Sequence, residues 1–228
     1  MFNPEAAGSE GSRYEAELAR IRLRPEIMLN AVGASNTERG LCARDDAAPI
    51  GPGIYAYNGL VTSLSRQLRD EDWTRVNVSG VLPIMLNPEA RVALGVTSGD
   101  RMTGRRGRQQ PKSRYAKGEL TRKIIGRNVS PGQLELESPE FPKEENDQDQ
   151  LTGYNLWMML VFYDRDLKEI RYEVSLPERL SSKGRIQNWY HRVVPDEPYS
   201  VDSEIFDFGD DEDPNDGFGP TDVPVEPR

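Results

Sequence analysis

Apolar residues recur at helical spacing up to Leu68 and at alternating spacing beyond Trp73. Tyr14, Leu18 and Ile21 stand four and three positions apart, with Ser12 ahead of them as a cap and Glu15 at the capping-box position. This predicts a first short helix that Pro25 interrupts. Residues 26–32 then read as a second short helical turn, and 36–53 as a loop. Leu60, Leu64 and Leu68 define one face of a longer helix, with Arg66, Arg69 and Asp70 turned to water.

The period then changes to two. Val76 and Val78 alternate, and 81–86 forms a short apolar run. In 91–97, Val92, Leu94 and Val96 share a side, and the small Ala93 and Gly95 opposite allow close approach, most simply by a helix. Residues 156–163 are apolar on both faces, as befits a strand in the middle of a covered sheet. Ile170, Tyr172, Val174 and Leu176 alternate with Arg171, Glu173 and Ser175, which predicts a half-exposed antiparallel neighbour. Lys183 and Gly184 turn the chain into a last strand over 185–194, on which His191 should share a side with Trp189 and Val193. A short helix is expected over 118–127.

Helices precede strands that run consecutively, so the predicted class is α+β: a mainly antiparallel sheet of about five or six strands with N-terminal helices packed on it. The expected organisation is a flexible stretch over 1–11 and one domain over 12–196. That domain carries a basic loop at 98–127 and an acidic loop at 137–153, and a disordered acidic tail follows over 197–228.

Composition sharpens this picture in two places. Cys42 is the only cysteine, which excludes an internal disulfide framework and points to a reducing, cytoplasmic setting. No apolar run approaches the roughly 20 residues that span a bilayer, so no membrane association is expected. The net charge of −9 hides two opposed blocks.

The first block is basic. Arg101, Arg105, Arg106, Arg108, Lys112, Arg114, Lys117, Arg122, Lys123 and Arg127 stand within 27 residues, with Glu119 their only acid and Tyr115 in their midst. A guanidinium donates two parallel bonds to phosphate oxygens, and an aromatic ring offers a stacking surface. Gly99, Gly104 and Gly107 could aim backbone N–H groups into an anion-binding nest. The candidate phosphate-contacting residues are therefore Arg101, Arg105, Arg106, Arg108, Lys112, Arg114, Tyr115, Lys117, Arg122 and Lys123.

The second block, 196–228, holds twelve acids and one base. Phe206, Phe208 and Phe218, set beside Asp210 and Asp211, suit a segment that docks on a basic partner. Catalytic chemistry is weakly represented. His191 is the only histidine, Ser98, Gly99 and Asp100 match no phosphate-loop pattern, and Asp166 with Lys168 is a nuclease-like fragment in a turn.

A carboxylate metal site would have to draw on Asp100 with Glu135, Glu137 or Glu173. No metal or other cofactor is expected. The leading expectation is a non-enzymatic protein that contacts DNA or RNA through the basic loop, with the acidic tail as competitor or docking segment. Two alternatives are a protein inhibitor whose tail mimics nucleic acid, and a Mg²⁺-dependent enzyme acting on phosphate esters.

Overall fold

Pro25 opens a helix instead of ending one. The structure, a computed structural model, describes residues 10–42, 47–78, 82–128 and 151–201. The first helix, α1 (Glu10–Arg20), starts two residues before the predicted cap Ser12. A turn with Arg22 at positive φ leads into α2, which runs Pro25–Cys42. Proline suits a first helical position because its φ is already helical and the N–H it lacks would have had no partner there.

The loop expected over 36–53 is therefore wrong for its first half: α2 continues to Cys42, and α3 (Gly51–Arg69) begins nine residues later. The buried side of α2 is Ile27, Met28, Ala31, Val32, Ser35, Asn36 and Arg39. Its spacing is helical throughout, but its second half is polar, so an apolar periodicity could not reveal it. Ser35 donates to the Ala56 carbonyl of α3 at 2.7 Å and lies 2.5 Å from the Tyr163 hydroxyl. Gly59 fixes how closely these helices approach, since a Cβ there would stand 2.8 Å from the Ala34 carbonyl oxygen.

The strands are β1 (Thr74–Val78), β2 (Leu82–Asn87), β3 (Val92–Ser98), β4 (Asn155–Asp164), β5 (Glu169–Leu180), β6 (Ile186–Val193) and β7 (Tyr199–Ser200). They form one sheet in the order β1-β2-β3-β4-β5-β6, with β7 pairing the start of β5. All links are antiparallel except β3–β4, which is parallel with Gly95 opposite Met158. A parallel link needs a long crossover. That crossover contains the basic loop and α4 (Glu119–Ile125).

The sheet separates two cores. On one face Leu94, Val96, Trp157, Met159, Tyr172, Val174 and Leu176 pack against Leu18, Met28, Val32, Leu64 and Leu68 of α1–α3. Each such fully buried side chain contributes about 1.5–3 kcal/mol of transfer free energy. On the other face Ile84, Leu156, Met158, Leu160, Ile186 and Trp189 pack against Ile124 and Ile125 of α4. Gly95 lies on this second face, and a Cβ there would press on Ile84 and Met158 of the adjacent strands, so its close neighbours are strand side chains and not a helix.

Two strand expectations are corrected. The polar side of β5 is not exposed: Arg171, Glu173 and Ser175 are all buried. On β6 an irregular register brings Leu176 opposite His191 and Pro177 opposite Trp189, so the side chains do not alternate simply. Trp189 thereby joins the α4 face, while His191 sets its ring edge-on to Trp157 at 5.9 Å on the α1–α3 face. Phe162, expected in the core, is half-buried beneath the Arg171 guanidinium at 4.9 Å.

Candidate nucleic-acid interface

The crossover after β3 is bonded to the sheet through its main chain. Gly99 N–H donates to the Val161 carbonyl at 2.9 Å and Arg114 N–H to the Ser98 carbonyl at 2.9 Å. Ser113 and Ile186 exchange bonds, Ser113 N–H to the Ile186 carbonyl and Ile186 N–H to the Ser113 hydroxyl. Trp189 Nε1 donates to the Pro111 carbonyl at 2.9 Å, and Lys117 N–H to the Gly184 carbonyl at 2.8 Å. Asp100 closes the first turn by accepting from Met102 N–H.

The buried polar side of β5 provides the remaining anchors. Glu173, fully buried, accepts from Gly104 N–H at 2.8 Å, from the Ser175 hydroxyl at 2.6 Å and from Arg192 through both Nε and Nη2. Arg192 also donates to the Arg105 carbonyl at 3.1 Å. Arg171, buried against Asp164 at 2.8 Å and Glu169 at 3.1 Å, donates to the Arg101 carbonyl at 3.0 Å. A bidentate arginine–carboxylate pair with further bonds to the loop main chain holds its geometry tightly. Gly104 is required where the loop meets β5: its φ is +68°, and a Cβ would lie 2.9 Å from Arg171 Cβ.

Two of the three glycines of the expected nest, Gly99 and Gly104, are thus already in use. Gly99 N–H serves a strand carbonyl and Gly104 N–H serves Glu173, so the anion held there is the protein's own. The same pairing gives Glu173 a cation, Arg192, as its neighbour. Asp100 is committed to Met102, and Glu135 and Glu137 lie outside the described residues. Among the described residues no group of three or more His, Cys, Asp or Glu could hold a metal.

The candidate cations divide into two sets. Lys117 turns inward and bonds the Thr97 hydroxyl at 2.5 Å; burial lowers its pKa to about 8. Arg106 bonds the Val194 carbonyl and Asp196, Arg105 lies 3.9 Å from Asp164, and Arg122 lies 3.5 Å from Glu119 on the same helix. Arg114 stands 5.7 Å from the Tyr115 ring, and both are partly buried. Arg101, Arg108, Lys112 and Lys123 are exposed, and among the described residues their side chains form no ion pair. Asp166 and Lys168 are exposed in the β4–β5 turn. The tail residues Phe206, Phe208, Asp210, Asp211 and Phe218, and the acidic loop over 137–150, lie outside the described residues.

Sequence reasoning missed Glu173, Arg171 and Arg192 as the anchors of the loop. The available signal was their charge on strands otherwise apolar, which reads equally as a solvated face. No helix among the described residues is long and apolar enough to cross a membrane. No protein-family model, curated protein or solved structure matches the chain.

Proposed function

We propose that the protein binds nucleic acid through sequence-independent phosphate contacts made by the loop between β3 and α4. The observation that supports this reading is the contrast within that loop. Its main chain is bonded to β3, β4, β5 and β6, while Arg101, Arg108 and Lys112 stay exposed and without acid partners among the described residues. A cationic segment whose backbone is already fixed loses little entropy on meeting a polyanion. Lys123 on α4 extends the basic surface, and Arg105, only weakly paired, adds to it. This reading calls for no catalytic group.

The test is titration of DNA and RNA oligonucleotides, single- and double-stranded, across a range of salt. Wild-type affinity should fall steeply with salt. The triple substitution Arg101→Gln, Arg108→Gln and Lys112→Gln should lower the slope by about one unit for each phosphate that is no longer neutralised. The weakening should be the same for every sequence tested. A wild-type protein that ignores all four probes at low salt would refute the proposal.

A further inference from the structure

At one end of the basic loop a cleft of about 490 Å³ opens between α1, the loop and β6. Arg13, Tyr14 and Glu17 line it from α1, Arg106 and Gly107 from the loop, and Arg192 and Val194 from the end of β6. Neither the sequence pattern nor the reading above required α1 to take part in binding.

The polar groups of this cleft are unequally committed. Two of its acceptors are in use: Glu17 Oε1 takes Arg13 at 3.1 Å, with Oε2 3.6 Å from His191, and the Val194 carbonyl takes Arg106 at 3.0 Å. Its arginine donors are only partly so. A guanidinium has five N–H groups. Among the described residues Arg13 bonds through Nε alone, Arg106 through Nη2 alone, and Arg192 through Nε and Nη2, which leaves at least one nitrogen of each without a protein partner there. The Tyr14 hydroxyl is buried with its proton directed at Tyr172, and that burial raises its pKa, so it adds no spare donor to the cleft. Gly107 adds backbone at φ +143° with no atom within 4 Å of where a Cβ would stand.

A concave site with spare arginine nitrogens suits a small anion with several oxygens, which would share the three guanidinium groups with Glu17, Asp196 and Glu173. Its volume is within the roughly 300–1,000 Å³ of ligand pockets. A phosphate monoester fits best, with about −1.5 to −2 charge and three strong acceptor oxygens. We propose that this cleft receives a terminal phosphate monoester. It rests on the reading of the loop in one respect: the group would be the phosphorylated end of a strand lying along Arg108 and Lys112. A free nucleoside monophosphate offers the same chemistry, and the experiment separates the two.

Full-length protein is titrated with a single-stranded oligonucleotide bearing a phosphate at its 5′ end, at its 3′ end or at neither, and separately with a nucleoside monophosphate. One of the phosphorylated strands should bind about tenfold more tightly than the unphosphorylated strand, the size expected of a hydrogen bond to a charged group. Arg13→Gln and Arg106→Gln, both at exposed positions, should each reduce that preference. Equal binding of all three strands would overturn the cleft and leave the loop standing. A monophosphate that binds alone, sensitive to Arg13→Gln, while every strand is ignored would support the cleft and overturn the loop. A preference that survives both substitutions would place the terminal phosphate elsewhere and overturn the proposal.

Discussion

The two faces of the sheet are covered by different physics. On the α1–α3 face the contacts are almost wholly apolar, and three helices bury a continuous layer of Leu, Met, Val and aromatic side chains. On the opposite face α4 covers only the β2–β4 and β6 part apolarly. The rest is closed by a loop, through backbone bonds to strands and through two buried arginine–carboxylate groups, Arg192 with Glu173 and Arg171 with Asp164. Apolar burial is non-directional and tolerates exchange among side chains of similar volume. A buried ion pair is directional and demanding: replacing both partners by apolar residues is often neutral, while removing one is strongly destabilising. The loop face therefore gains defined position more than net stability.

Substitutions can break this contrast at decreasing cost. Glu173→Leu should destabilise by about 3–5 kcal/mol, because Arg192 would be left buried without its partner. The double change Glu173→Leu with Arg192→Met should cost much less than the sum of the single changes when compared by denaturant unfolding. An additive result would mean that the two residues act independently. On the helix face Leu64→Ala should cost about 2–5 kcal/mol, as other fully buried leucines do, and should leave oligonucleotide binding by the folded protein unchanged.

Lys117 sharpens the comparison through pH. Its folded pKa of about 8 lies below the ordinary 10.5, so the unfolded chain binds more protons between those values. Stability from this group should thus rise with pH from about 8 upward. The buried tyrosines act oppositely. Burial raises the pKa of Tyr14, Tyr163 and Tyr172, so their contribution falls once pH passes their ordinary value of 10.0. Wild type minus Lys117→Met should therefore become more favourable between about pH 8 and 10, measured by chemical denaturation at each pH. A flat difference would show that the amine keeps its charge in the folded state. The smallest effect belongs to Arg108→Ala, expected within about 0.5 kcal/mol of wild type in stability because no described residue holds the exposed side chain. Its effect should be seen only in oligonucleotide affinity.

The same contrast decides how much could be read from the residues alone. The sheet strands β3 and β4 and the helical face of α3 follow from apolar periodicity, since those segments bury apolar groups against apolar groups. Where burial is polar the pattern carries the opposite meaning. Ser35, Asn36 and Arg39 made the end of α2 look like loop, and Arg171, Glu173 and Ser175 made a covered strand look half-exposed. The β6 irregularity that parts Trp189 from His191 has no local residue signature. Of the candidate interface, the basic residues themselves were visible, but not which of them turn inward. That depends on Asp164, Asp196 and Thr97, which meet the loop only in three dimensions.

The parallel register of β3 and β4 bears on how the chain reaches this structure. β4, β5 and β6 are joined by short turns and pair in sequence, so they can assemble from nearby contacts. Val92 finds Asn155, by contrast, across roughly sixty intervening residues, and closing so long a loop costs entropy before any pairing rewards it. Non-local pairing of this kind slows folding. The contact pattern therefore favours pairing within the β4–β6 meander over pairing of β3 with β4 as the faster event.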